Sequence, residues 1–393
     1  MPPPHPVLER IRAFHADLTA IRRDLHANPE LGMDVHRTAD IVARQLHEWG
    51  IEVHRNVGGT GVVGVLRKGN GPRSVGLRAD MDALPIEEAT GVAYASRIGG
   101  RMHACGHDGH VAMGLEVGRR LAAATLPGTV KFAFQPAEEM NNGAASMIAA
   151  GVLAAPRVDA AFGVHLWNYL PVGTIGVMPG PVMAAVDLFD ITVVGRGGHA
   201  AAPHLTVDPV VVAAQIVTAL QGIVSRRRDP LEEGVISVTQ VQAGDAYNVI
   251  PARAVLRGTA RSFGGRFHEQ VPALIERTAR GIAEALGAGV ELRYERLSRP
   301  VVNDERMTAV MRAAAAEVVG PENVRSGVRT MGGEDFAFFL EAVPGCFAFV
   351  GSAPRDGRPA APHHSPHFDI EEEALVIGTE LLTRTALGYL ARA

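Results

Sequence analysis

Two hydrophobic rhythms alternate along the chain, and the points where one replaces the other divide it into regions. Residues 7 to 50 carry apolar positions at helical spacing. This predicts one helix around Leu8 to Leu25 and another from about Arg37 to Trp49, with Asn28-Pro29-Glu30 breaking them apart. After Gly50 the rhythm shortens to apolar runs bounded by glycine, and Gly61 to Leu66, Ser74 to Ala79, Thr129 to Phe134 and Ala160 to Val164 read as strands. Gly109 to Ala124 and Gly143 to Ala150 read as helices between them. Alternating strand and helix predicts an α/β domain with a largely parallel sheet. Ligands collect beyond the carboxyl ends of such strands, and Asp80, Glu138 and His165 each follow a predicted strand.

The pattern changes near Pro179-Gly180-Pro181. Strand Val186 to Val194, helix Pro209 to Val224, strands Val235 to Gln242 and Ala254 to Ala260, helix Glu269 to Ala285 and strand Val290 to Arg296 follow in turn. That order is the α+β arrangement of ferredoxin type. After about Arg299 the α/β character returns, with a helix Glu305 to Val319, an apolar run Cys346 to Gly351 and a last helix from about Glu371 to Leu390. The expected organisation is therefore a main domain of residues 1–185 plus 299–393, interrupted by an inserted ferredoxin-like domain of residues 186–298.

At 393 residues the chain is too long for one ordinary core, and 47% hydrophobic with 20% charged residues suits a soluble globular protein. The formal net charge is −4, and the notable basic run is Arg226-Arg227-Arg228. No nucleic-acid or polybasic membrane footprint results; the triplet is expected at the negative end of the helix dipole following Val210 to Ser225. No uninterrupted apolar run approaches the ~20 residues that span a bilayer, and Met1 to Arg12 lacks the layout of a signal peptide. Two cysteines argue against a disulfide framework and for a reducing compartment, so cytoplasm is the expectation.

Chemistry concentrates first in Met102-His103-Ala104-Cys105-Gly106-His107-Asp108-Gly109-His110, with three imidazoles, a thiol and a carboxylate in nine residues. Burying these groups without partners is costly, and a metal ion satisfies several at once. Cys105 and His107, two apart around the flexible Gly106, can converge on one centre; a polar surface loop is the alternative. Arg78-Ala79-Asp80-Met81-Asp82 places two carboxylates at a strand end, able to bind a metal, to steady a metal-bound histidine, or to form an ordinary acidic loop. In Gln135-Pro136-Ala137-Glu138-Glu139 one glutamate can hold a metal while its neighbour carries protons, and amide hydrolysis needs both a polarised water and a base.

His165 reads as a structural residue or a ligand. In Pro362-His363-His364-Ser365-Pro366-His367 spacing does not choose among the histidines. His199, in Gly197-Gly198-His199-Ala200, marks a turn or an oxyanion stabiliser. Glu334 and Asp335 are expected to open a helix, where the dipole favours acids, and read as a structural pair or as support behind the ligands; Cys346 is expected to be a core thiol.

Together these clusters resemble the aminoacylase and carboxypeptidase clan of di-metal hydrolases. The resemblance is strongest to the branch of hippurate hydrolase, N-acyl-amino-acid amidohydrolases and plant indole-acetyl-amino-acid hydrolases. It runs from Arg23-Asp24-Leu25-His26 and Pro29-Glu30-Leu31-Gly32 through Gly333-Glu334-Asp335-Phe336 to His364-Ser365-Pro366, almost the whole chain.

The resemblance implies two divalent metals held by Cys105, His107, Glu139, His165 and His364, with Cys105 bridging; thiolate and imidazole donors favour zinc, cobalt or nickel over magnesium, and the relatives add manganese. It implies Glu138 as the general base acting on a metal-activated water and Asp82 as a carboxylate supporting the ligands. His199 would be a lid histidine approaching the scissile carbonyl in the partner subunit, and Asn248 a residue near the substrate carboxylate. His367 departs from the pattern, since relatives often carry an aromatic residue there. The expected substrate is a small N-acyl amino acid, hippurate-like or N-acetylated, with a homodimer or larger homo-oligomer formed through the lid. A dipeptidase or aminopeptidase of the same clan, a non-catalytic metal-binding relative and a redox sensor built on Cys105 are the alternatives.

Overall fold

In strands Ser74–Asp80, Gly128–Gln135, Ala160–Pro171 and Gly345–Ala353 nearly every position is buried, as continuous apolar runs require when both faces of a sheet are covered. The computed structural model describes residues 6–355 and 359–392, with side chains from Ala16 onward; positions 1–5, 356–358 and 393 lie outside the described residues. The chain forms two units. The first comprises Met1–Val182, Val302–Val328 and Glu334–Ala393, and the second Met183–Val301 with Arg329–Gly333.

The first unit is built on an eight-stranded mixed sheet. Gly128–Gln135, Ser74–Asp80, Ala160–Pro171 and Gly345–Ala353 lie side by side and parallel at its centre, flanked by Val62–Lys68 and Glu52–Arg55 at one edge and Ile175–Gly176 and Val324–Arg325 at the other. The edge pairs Glu52–Arg55 with Val62–Lys68 and Val62–Lys68 with Gly128–Gln135 are antiparallel. Helices Pro6–His26, His107–Ala123 and Glu373–Leu390 pack against one another, and the last two are buried along most of their length.

Between the first two helices the Asn28-Pro29-Glu30 break has a second use. The Glu30 carboxylate accepts hydrogen bonds from the backbone N–H groups of Arg37 (2.9 Å) and Thr38 (2.8 Å). It thereby caps helix His36–Glu48, which has no cap from its own Val35.

The strand predicted to stop at Val164 continues to Pro171. Leu166 and Trp167 sustain its apolar run, and the ladder with Gly345–Ala353 extends to the Trp167–Gly351 pair. His165 consequently sits within the strand rather than beyond it.

The second unit has the ferredoxin-like arrangement. Its four antiparallel strands run in the order Gly234–Gln242, Arg253–Ser262, Ala185–Val194, Gly289–Ser298. Helices Pro209–Arg226 and Gly265–Ala285 supply the rest of a separate core around Phe189, Ile191, Ile216 and Ile275. The helix Pro209–Arg226 is apolar and long enough to cross a membrane by length and composition alone. Its Val212, Ala213, Ile216, Leu220 and Ile223 are buried in this core. Asp208 caps its start through the Val210 N–H, and Arg226 and Arg227 end it.

Candidate metal centre

The nine-residue run turns a corner. Gly106 adopts φ 89°, the left-handed conformation that costs a residue with a side chain most, and helix His107–Ala123 starts at the next residue. Cys105 and His107 are therefore presented from the two sides of one turn. His107 Nδ1 donates to the Asp82 carbonyl oxygen at 2.8 Å, which orients the ring and leaves Nε2 as the nitrogen open to a metal. His165 is oriented in the same way, its Nδ1 donating to the Leu166 carbonyl at 2.7 Å. Its Nε2 then lies 3.5 Å from the Cys105 sulfur.

The Asp82 carboxylate holds the glutamate pair. It accepts from the Glu138 N–H at 3.0 Å and from the Glu139 N–H at 3.2 Å. His364 joins from the far end of the chain, where its N–H donates to the Ala104 carbonyl at 2.8 Å. It holds φ 63°, unusual for a residue with a side chain, and its Nε2 lies 3.4 Å from Glu139.

The ligand atoms of Cys105, His107 and His165 lie within 4.8 Å of one another, as do those of Cys105, Glu139 and His364 and those of His107, Glu138 and Glu139. All five expected ligands and Glu138 thus converge, and Cys105 belongs to two of the groups. His199 and Asn248 lie in the second unit, both exposed. There the strand pair Gly198–His199 and Val249–Ile250 places them together, and the Ala200 N–H donates to the Asn248 carbonyl at 3.0 Å. The Ala201 N–H donates to His199 Nδ1 at 3.0 Å, so Nε2 is the nitrogen that carries the proton in the neutral ring.

Two observations fit the first-unit cluster to cations. His107 Nε2 and Glu139 Oε1 are buried without a hydrogen-bond partner among the described residues, a costly condition that coordination relieves. The Cys105 thiol is pushed well above its ordinary pKa by burial and by Glu139, Glu138 and Asp80. Thiolate, imidazole and carboxylate donors together suit a transition-series divalent ion or zinc better than magnesium.

The other histidines of the motif are accounted for differently. His110 accepts from the Leu166 N–H at Nε2 (2.9 Å) and donates from Nδ1 to Asp80 at 2.5 Å, so neither nitrogen is available to a metal. Asp108 is buried against Arg22 (2.8 Å) and His26 (2.7 Å), tying the motif to the first helix. His103 is buried with both ring nitrogens unpartnered among the described residues.

Sequence reasoning left a supporting role open for Glu334 and Asp335 but missed the cation that gathers them. Arg78 lies fully within the protein, donating to Asp80 at 2.6 Å, to both Glu334 oxygens at 2.8 and 3.1 Å, to Asp335 at 3.0 Å and to Gln135 at 3.0 Å. Glu334 and Asp335 do not open a helix, as the next one is Ala337–Ala342. They are buried as partners of Arg78, and Glu334 also comes within 4.8 Å of Glu138. Burial first, then Glu334 and Glu139, hold the Glu138 carboxyl well above the usual range. The available signal was Arg78 itself, since a guanidinium in an apolar strand must be met by carboxylates.

A parallel-centred sheet with a buried thiol–imidazole–carboxylate cluster at its carboxyl end, plus a separate ferredoxin-like unit, defines a class of metal-dependent hydrolase. The sequence profile of peptidase family M20/M25/M40 matches residues 76–388, and the chain belongs to that family as a metal-dependent amidohydrolase. It is 40% identical over 380 residues to an N-acetylcysteine deacetylase of Bacillus subtilis, covering 96% of this chain and 97% of that protein. It is 38% identical over 379 residues to the IAA-amino acid hydrolase ILR1-like 4 of Arabidopsis thaliana, covering 95% and 86%. Among solved structures it resembles a dinuclear metal-binding peptidase of the M20 family from Bacillus subtilis, with TM-score 0.85 and 37% identity over 97% of this chain and 99% of that one.

Proposed function

We propose that the protein hydrolyses the amide bond of N-acyl amino acids, with Glu138 as the proton carrier. The observation that carries the reading is the placement of a buried carboxyl outside the ligand set but within reach of it: Glu138 Oε2 is 3.8 Å from His107 Nε2. Cys105, His107, Glu139, His165 and His364 would hold two divalent ions, which when bound act as Lewis acids and ease the ionisation of water. Glu138, anchored through its own N–H to Asp82, takes a proton at its carboxylate during attack and returns it to the leaving nitrogen. Its buried surroundings keep bulk water from competing for that proton.

The similarity to an N-acetylcysteine deacetylase and to an IAA-amino acid hydrolase supports a substrate with an uncharged acyl half and an amino-acid half. In this reading His199 stabilises the carbonyl oxygen from the lid of a partner subunit in a homodimer, and Asn248 meets the substrate carboxylate. The exposure of both residues and the free Nε2 of His199 support it. Two free thiols fit a reducing compartment such as the cytoplasm.

The test is Glu138→Gln. Turnover of N-acyl amino acids should fall by about 10²–10⁴-fold, while metal content measured by plasma mass spectrometry stays at the wild-type level. Retained turnover would remove Glu138 from the role.

A further inference from the structure

Strand Ala160–Pro171 presents alternate side chains to one face, so His165 shares its face with Trp167 and Tyr169. The three rings form a ladder leading outward. Relative exposure rises from 4% at His165 to 9% at Trp167 and 60% at Tyr169. Centroids are 5.6 Å apart between His165 and Trp167 and 5.1 Å between Trp167 and Tyr169.

His363, next to His364, lies against every rung. Its ring is 5.3 Å from His165, 4.7 Å from Trp167, and stacked on Tyr169 at 5.6 Å and 26°. The ladder is held rigid from behind. His363 Nε2 donates to the Leu166 carbonyl at 2.9 Å, and Asn168 Nδ2 donates to the carbonyls of Ala361 (3.0 Å) and Asp369 (2.8 Å).

We infer that this ladder is the acyl-group subsite, and that Tyr169, braced by His363 and Trp167, makes the enzyme favour aromatic over small acyl groups. The inference rests on the N-acyl-amino-acid reading above. One end of the ladder is a member of the metal-ligand cluster and the other is an open ring, so a group attached to the scissile carbonyl can extend along it. Of the two halves of such a substrate, only the amino-acid half carries a carboxylate. Among the described residues no lysine or arginine lies over these rings, and rings alone offer that charge no compensation for lost water. The uncharged acyl half suffers no such loss, and a ring stacked on Tyr169 gains what an acetyl methyl cannot. Ring-on-ring contact beyond simple burial is worth about 3- to 10-fold in binding.

The experiment compares kcat/KM for the N-benzoyl and N-acetyl forms of one amino acid in wild-type, Tyr169→Ala and Tyr169→Phe enzymes loaded with manganese. The wild type should favour the benzoyl form. Tyr169→Ala should lower the benzoyl-to-acetyl ratio about 3- to 10-fold, through KM more than kcat, and Tyr169→Phe should restore it. A ratio unchanged in Tyr169→Ala, or one that Phe does not restore, overturns the subsite.

If the wild type cleaves neither compound, the N-acyl-amino-acid reading fails. The ladder is then judged by titrating benzoate and acetate against tryptophan fluorescence. Saturable quenching by benzoate that Tyr169→Ala abolishes supports an aryl site, and equal responses to the two acids overturn it.

Discussion

Cys105 and His110 lie five positions apart in one motif and do opposite work, and the difference is set by where their lone pairs go. Cys105 is a buried thiol facing His165 and Glu139 and would serve as a ligand only as a thiolate beside a cation. His110 has spent both nitrogens on Asp80 and the Leu166 N–H. Cys105→Ser should therefore abolish stoichiometric metal binding, seen as a drop in ions per chain after dialysis. His110→Phe should keep the stoichiometry but weaken affinity about 10–100-fold, as loss of a group that orients ligands does; isothermal titration with a divalent ion separates the two outcomes. Residue types and spacing were enough to nominate Cys105 and His107, because a thiol and an imidazole around a glycine have few other uses. They could not rank His363, His364 and His367. That choice depends on the positive φ of His364 and on the hydrogen bonds of its neighbours to Leu166 and Ala89, which no local pattern encodes.

Among elements, the central strands and the long helices of both units were legible from hydrophobic period, including the ferredoxin-like order of the second, while the short edge strands Glu52–Arg55, Ile175–Gly176 and Val324–Arg325 carry too few apolar positions to show a period. The errors fell where a polar residue sits inside a buried element. His165 was read as ending a strand that runs on to Pro171, and Glu334 and Asp335 as a helix start when they are the counter-charges of Arg78. Tertiary pairing decided both cases, and pairing partners 256 positions apart leave no trace in a local window.

Removing the cation from that network should be severe. Arg78→Met is expected to destabilise by about 3–5 kcal/mol, the penalty for leaving buried charge without its partner, measured by urea unfolding of the apoprotein.

The first helix supplies a second case. His26 is buried, which alone would lower its pKa, but hydrogen bonds to Asp108 and Glu88 outweigh this and raise it from 6.5 to about 9. A raised folded-state pKa adds stability that is complete below pH ~6.5 and is lost as pH climbs through about 9. Unfolding free energies at pH 6.5 and pH 9.5 should show the decline, and His26→Gln should flatten it.

For the molecule as a whole, the candidate ligands come from positions 105, 107, 139, 165 and 364, so ions bound there would cross-link segments that are remote in sequence. A ligand that binds the folded chain alone stabilises it by about 2.7 kcal/mol at 100 times its Kd. Treatment with a chelator should lower the melting temperature, and added manganese or zinc should restore it in calorimetry.

The restoration should be complete because one positive charge of the centre cannot be dialysed away. Arg78 is a counter-ion covalently attached to the chain, lodged among Asp80, Glu334 and Asp335 directly behind the glutamate pair. Were mobile ions to leave, this tethered one would keep the inner carboxylates from repelling each other apart. A site emptied of ions should thus keep the shape of the vessel it would refill.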